Sequence, residues 1–504
     1  MKETKVIAIL GTGSDIGKSI VATAFNRLLS NAGKPVAPFK AQNMSNNSFV
    51  TKEGGEMGRA QVVQAEAARV TPHTDMNPVL LKPSADNTSQ VILHGKAIAN
   101  KESSEYWKNT DYLFRKASES LERLKQKYNY IIIEGAGSCA EVNLRDTDFV
   151  NFKMAHHASA DVILVADIDR GGVFAQIIGT LKIITPKERS LVKGIIINKF
   201  RGDSSLFTNG IKYIEEQTGV PVLGLIPYYR HIDIDSEDGV ILDSKIKTEK
   251  TFEHEKINIG VFKLPHISNF TDFSPLQRNA SVELTYLYTP KNLDEFDLII
   301  IPGTKNVRFD IEWMRKTGWE EILLKYSENF GNIIGICGGF QMLGTIIKDP
   351  YGLEGKKGET KGLNLLDIET TLDGEKTLSN ITGKYLPGKI KVTGYEIHLG
   401  KTLIGEHCEP LIMITEKNGN PVKNFDGTKN KSGNIWGCYI HGIFDGYEFR
   451  NYILKQIKPY AKLYSKRKND TKLEKFKNSQ YDLLAKHFES NMNMKLVNEL
   501  LGIV

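Results

Sequence analysis

The sequence predicts an α/β fold in two domains, each built on a mainly parallel sheet with helices packed against it. Three observations carry this. The chain has 504 residues, more than one hydrophobic core usually supports. Short β-branched runs alternate with longer amphipathic segments in both halves, the rhythm of strand–helix units. The runs are apolar at successive positions rather than at every second one, as expected of strands covered on both faces.

Taken in order, residues 6–10, 130–133, 162–166 and 194–197 are the clearest strands of the first half. Their C-terminal ends should carry the chemistry, because open α/β sheets bind ligands there. A polar stretch without periodicity begins near His231 and ends where a fresh strand, 257–262, starts. The boundaries that follow are a first domain over 1–235, a linker over 236–256, a second domain over 257–450 and a helical tail over 451–504. In the second domain 298–301 and 333–336 read as strands, with a helix beginning near Phe340 and continuing from Gln341. The tail is rich in Lys and Asn, but Tyr481, Leu484 and Phe488 keep helical spacing, so a surface helix is expected.

The first strand runs into Gly11-Thr12-Gly13-Ser14-Asp15-Ile16-Gly17-Lys18-Ser19, a P-loop one residue longer than the usual spacing, and then into an apolar helix. Glycines let backbone N–H groups approach phosphate oxygens, and the helix N-terminus adds its positive dipole end. Lys18 would neutralise phosphate charge and Ser19 would ligate magnesium. Glu134, at the end of the strand 130–133 and before Gly135-Ala136-Gly137, is a hard oxygen ligand suited to the same ion. Asp167, Asp169 and Arg170 end another strand and form a contact set for a phosphorylated intermediate or a local salt bridge. Asn198, after the strand 194–197, is a candidate for the adenine edge.

The strand 333–336 delivers Cys337 within Gly335-Ile336-Cys337-Gly338-Gly339, ahead of a helix: a nucleophile elbow. The flanking glycines relieve crowding in the sharp turn, and the helix N-terminus favours thiolate and supplies donors for an oxyanion. Two histidines compete as base, His398 and His441. His441 is preferred because it follows an apolar strand, 435–440, and precedes a glycine. The loop Pro302-Gly303-Thr304 is expected to add an oxyanion donor.

Composition narrows the function class. With 66 basic and 60 acidic residues the net charge of +6 is a weak bias, which points to neither nucleic acid nor membrane as a partner and suits an anionic substrate. Four cysteines (Cys139, Cys337, Cys408, Cys438) are too few and too irregular for a disulfide framework, so a reducing, cytoplasmic setting is expected. No apolar run approaches the roughly 20 residues that span a bilayer.

The extended phosphate loop and the Glu134-Gly135-Ala136-Gly137 tetrad resemble the dethiobiotin synthetase family, which activates a carboxylate with ATP and magnesium. The cysteine elbow with His441 resembles the class I glutamine amidotransferases, whose flavodoxin-like α/β domain releases ammonia from glutamine. Those enzymes usually have a glutamate two residues after the histidine, where this chain has Ile443. Asp445 or Glu396 would orient the imidazole instead, or a Cys–His dyad suffices.

Across 6–447 the chain resembles the cobyric acid synthase family, through Phe39-Lys40-Ala41-Gln42-Asn43-Met44-Ser45, Gly55-Glu56-Met57-Gly58-Arg59-Ala60-Gln61 and Asn198-Lys199-Phe200-Arg201-Gly202-Asp203 among other segments. That resemblance implies ATP- and glutamine-dependent amidation of the b, d, e and g carboxylates of adenosylcobyrinic acid a,c-diamide, a corrinoid, with oligomerisation left open. Lys40, Arg59 and Lys82 are candidate contacts for its carboxylates. The alternatives are the sister cobyrinic acid a,c-diamide synthase and a ParA-like P-loop switch without glutaminase activity.

Overall fold

The computed structural model describes residues 4–85, 88–102, 110–229, 231–235, 255–461 and 473–503. The linker expected over 236–256 falls almost wholly outside them, as do residues 462–472 of the tail.

The first domain is a six-stranded parallel sheet in the order Val222–Pro227, Val192–Phe200, Asp161–Asp167, Lys5–Gly11, Tyr130–Glu134, Val36–Phe39. The four expected strands form, each slightly longer than its apolar run. Ile7, Ile132, Ile163 and Ile196 face one side of the sheet and Ala8, Ile133, Leu164 and Ile197 the other; all are fully buried, which is why these runs do not alternate. Register puts the chemistry at one edge, since Ile9 pairs with Glu134, Gly11 with Val165, and Asp167 with Asn198.

In the second domain the parallel strands Val282–Leu287, Ile257–Phe262, Leu298–Ile301, Ile333–Ile336 and Ile435–Cys438 lie side by side. The long antiparallel strands Ile368–Tyr385, Ile390–Ile404, Glu409–Lys417 and Asn420–Lys429 extend this sheet. They have no counterpart in the sequence reading, because they are half exposed and carry many polar residues on the open face. The helix expected from Gln341 onward spans only Gly338–Met342. It stops where Gly344 packs so tightly on the Ile368 carbonyl that a side chain would not fit.

The tail helices Leu473–Glu489 and Met494–Leu501 belong physically to the first domain. Leu484, Phe488, Val497 and Leu501 join Val21, Phe25 and Leu29 of the P-loop helix in one core. Arg27, almost fully buried beneath them, is held by Asp482 at 2.8 Å and Asn478 at 3.0 Å.

The two domains are docked. Val50 packs with Tyr395 and Ile397, Ser48 N–H donates to Asn269 Oδ1 at 2.9 Å, and Asn380 Nδ2 donates to the Thr51 carbonyl at 2.7 Å. Lys376 of the second domain reaches the fully buried Glu56 of the first, whose other oxygen accepts from Lys82 at 2.7 Å.

Two candidate active sites

The phosphate loop is shaped by its own backbone. Gly17 has φ of 98°, and a side chain there would also strike Asn198 Nδ2, so only glycine fits just ahead of the helix Lys18–Asn31. Thr12 N–H donates to the Val165 carbonyl at 3.0 Å, tying the loop to the neighbouring strand, and the Thr12 hydroxyl lies 3.3 Å from Gln176 Oε1. Lys18 Nζ donates to the carbonyls of Gly13 and Gly137, each at 2.7 Å, and so bridges the loop and the segment after Glu134. Gly11 packs on Ile16, where an added Cβ would collide.

Ser19 Oγ donates to Glu134 Oε1 at 2.8 Å. The structure thus brings the two candidate magnesium ligands into contact, and their hard oxygens fit that ion. Around Glu134 it adds partners unmarked as such in the sequence: Lys40 Nζ at 2.8 Å, Gln64, and Gln61 Nε2 at 3.4 Å. Among the described residues no group of three or more His, Cys, Asp or Glu could hold an ion. Ser19 and Glu134 would therefore supply part of an octahedral shell, leaving the rest to phosphate and water.

Three further sets of candidate residues have partners inside the protein. Asn198 is fully enclosed, and its Nδ2 donates to the Ile16 carbonyl at 2.9 Å. Through that bond it braces the phosphate loop from below. Asp167 and Asp169 are engaged by Lys199 and Arg201 respectively, the local salt-bridge alternative. Lys40, Arg59 and Lys82 are buried and paired with Glu134, Asp235 and Glu56.

In the second site Cys337 stands at the end of Ile333–Ile336 with φ of 54° and ψ of −110°, an energetically unfavourable conformation for a non-glycine residue. Its amide is anchored to the Cys438 carbonyl at 2.8 Å on the adjacent strand. Gly338 and Gly339 press against Thr304 and against the carbonyls of Ile301 and Pro302, so the loop expected to complete an oxyanion hole lies directly on the elbow.

His441 follows Ile435–Cys438 and is buried. Its Nδ1 pairs with Asp272 Oδ2 at 2.6 Å, and Asp272 Oδ1 accepts from Gly442 N–H at 3.0 Å. Burial alone would depress the imidazole; the Asp272 carboxylate and the hydrogen-bonded Cys337 sulfur outweigh it and raise the pKa to about 10. Cysteine, imidazole and carboxylate thus stand in sequence, with Cys337 Sγ donating to the Ile397 carbonyl at 3.4 Å, a geometry suited to a nucleophile and a base oriented by an acid. Neither acid considered from the sequence fills that position, since Glu396 pairs with Lys417 at 2.7 Å and Asp445 lies beyond Gly442, its carboxyl raised by burial to about 6. Asp272, in the short turn Phe270–Phe273, lies 169 residues before His441, and no spacing marks it.

His398 is different in kind. It stacks on Tyr439 with ring centroids 3.7 Å apart, and burial, with Lys417 nearby, pushes it down to about 3, leaving it neutral. It lines one cavity with Cys337, Gln341, Lys305 and Glu354, and Lys82 of the first domain closes that cavity.

Known proteins match both halves. The family described as CobQ/CobB/MinD/ParA nucleotide binding domain matches residues 7–240, and the CobB/CobQ-like glutamine amidotransferase domain matches 258–449. A cobyric acid synthase of Chlorobaculum tepidum is 52% identical over 497 residues, covering 99% of this chain and 98% of the relative. Those of Chlorobium phaeobacteroides (52% over 496 residues, 98% of this chain and 99% of the relative) and Clostridium kluyveri (44% over 499 residues, 99% and 98%) align as completely.

Proposed function

The chain belongs to the cobyric acid synthase family, and from that premise we propose that it amidates the b, d, e and g side-chain carboxylates of adenosylcobyrinic acid a,c-diamide to give adenosylcobyric acid, with ATP as phosphoryl donor and glutamine as nitrogen source. It is a glutamine-dependent amidotransferase with an α/β nucleotide-binding domain. The observation that most supports the fuller reading is the presence, in one docked chain, of a phosphate loop beside a serine–glutamate pair and a Cys337–His441–Asp272 constellation.

In the second domain, 257–450, Cys337 Sγ attacks the side-chain carboxamide carbon of glutamine. His441 gives its proton to the departing nitrogen, ammonia leaves, and a γ-glutamyl thioester remains. His441, now neutral, takes a proton from water, which adds to the thioester carbonyl and expels the thiolate with glutamate as product. Backbone N–H groups at the start of Gly338–Met342 and in the Gly303-Thr304 loop stabilise the tetrahedral oxyanions.

In the first domain, 1–235, bound ATP supplies the phosphoryl group that turns a substrate carboxylate into an acyl phosphate, and ammonia then displaces the phosphate. The backbone of Gly11 to Gly17 cradles the phosphates, Lys18 exchanges its carbonyl partners for phosphate oxygens, and Asn198 holds the loop in shape. Ser19 and Glu134 would hold magnesium, which would offset charge on the phosphates. Lys40 and Gln64 fix the Glu134 carboxylate in place. The free thiols of all four cysteines accord with a cytoplasmic enzyme.

Two variants test this division. Cys337→Ala is expected to lose glutamine-dependent amidation while keeping ammonia-dependent amidation, and Lys18→Ala to lose both. Equal loss of both activities in Cys337→Ala would count against it.

A further inference from the structure

Five charged side chains gather around the Cys337 cavity and the domain interface beside it, and they are not equivalent. Glu56 satisfies Lys82 and Lys376 together. Lys305 and Glu354 are left over. Lys305 immediately follows Thr304 on the loop over the elbow; its backbone N–H donates to the His266 carbonyl at 3.0 Å, and its ammonium makes no hydrogen bond or ion pair among the described residues. Glu354 lies across the helix start Val307–Thr317, where its Oε2 accepts from Arg308 N–H at 3.0 Å. No cation forms an ion pair with it among the described residues. Both side chains line the cavity that holds Cys337.

A molecule whose carboxamide reaches Cys337 Sγ must place its other end in this cavity. For glutamine that end carries one carboxylate and one ammonium, on the same carbon. We propose that Lys305 and Glu354 are the specificity residues of the glutaminase site, Lys305 reading the α-carboxylate of glutamine and Glu354 its α-ammonium. The assignment rests on the glutaminase reading above and adds to it the reason why a free amino acid is chosen over other primary amides.

The electrostatics agree. Burial, with Lys82 beside it, lowers the Lys305 ammonium below the ordinary lysine range. Burial raises Glu354 to about 7, against backbone N–H groups and Lys305, which hold it down. The two groups act on each other, yet neither forms an ion pair among the described residues, and a zwitterion supplies an opposite charge to both at once. Gln341, also lining the cavity, already donates from Nε2 to the Leu399 carbonyl at 2.9 Å and to Tyr439 Oη at 3.1 Å.

The experiment uses the full chain and three amides: glutamine, 4-aminobutanamide, which lacks the carboxylate, and 4-carbamoylbutanoate, which lacks the ammonium. Ammonia release gives kcat and KM for each. The wild-type chain should prefer glutamine over both analogues. Lys305→Met should raise KM for glutamine roughly 10- to 100-fold, the scale of one lost charge-assisted hydrogen bond, with a much smaller change in kcat. It should also cease to distinguish glutamine from 4-aminobutanamide while still rejecting 4-carbamoylbutanoate. Glu354→Gln should show the converse pattern. Retained ammonia-dependent amidation marks each variant as folded, and should either fail that control, the other carries the test. Variants that lower kcat for all three amides with unchanged discrimination would overturn the proposal. A wild-type chain that releases no ammonia from glutamine overturns instead the glutaminase reading on which it rests.

Discussion

At the scale of single residues, the charge on His441 decides how the glutaminase site should respond to pH. Its pKa is raised from the ordinary value near 6.5 to about 10. The imidazolium therefore contributes to stability fully below the ordinary value, and that contribution is lost as pH rises through about 10. In the proposed reaction the same proton goes to the departing nitrogen, so kcat/KM for glutamine should hold through neutral pH and fall only toward pH 10. Asp272→Asn should bring that alkaline limb down toward neutrality and reduce glutaminase activity at least about tenfold, within the range of lost acid–base assistance. A pH–rate profile of the variant checks this. An unmoved alkaline limb would mean that Asp272 only packs against the ring. Cys337 and His441 could be named from sequence because a glycine-flanked elbow and a strand-end histidine are local patterns. Asp272 could not, because its role depends on the second domain folding its turn back onto the strand of His441.

At the scale of elements, strand runs and strand-end loops were the most legible features. Continuous apolar runs identify buried parallel strands, and a glycine loop after the first of them leaves little freedom in what the loop can do. Antiparallel strands such as Ile368–Tyr385 were hidden, since their exposed faces carry the polar residues that also mark loops. The tail shows a subtler limit. The spacing of Tyr481, Leu484 and Phe488 predicts a helix and its buried face, but not that the face closes over the P-loop helix at the opposite end of the chain. Because Phe488 is fully buried there, Phe488→Ala should destabilise the first domain by about 3–5 kcal/mol. Urea unfolding measures it; a change under about 1 kcal/mol would show that the tail contributes little to that core.

At the scale of the whole molecule, the docking of the domains matters as much as either site. The stretch from Lys40 to Ser48 touches both: Lys40 is bonded to Glu134 beside the phosphate loop, and Ser48 to Asn269 in the loop that leads to Asp272. Lys82 of the first domain walls the Cys337 cavity, and the buried Glu56 joins it to Lys376 of the second. Removing one partner from so buried a cluster leaves a charge uncompensated, which costs about 3–5 kcal/mol, so the domains are held in one arrangement. None of this could be read from the linear order, in which Glu56 and Lys376 are 320 residues apart. A fixed docking suits a reaction in which ammonia must meet an acyl phosphate before water does.

The most direct test of that account follows a corrinoid through the full reaction. Purified protein is given ATP, magnesium, glutamine and adenosylcobyrinic acid a,c-diamide; released glutamate is counted while mass spectrometry follows the corrinoid. Successive acid-to-amide conversions at the b, d, e and g carboxylates, with one glutamate released for each amide formed, are the predicted result. ATP hydrolysis or glutamate release that leaves the corrinoid carboxylates unchanged would contradict it.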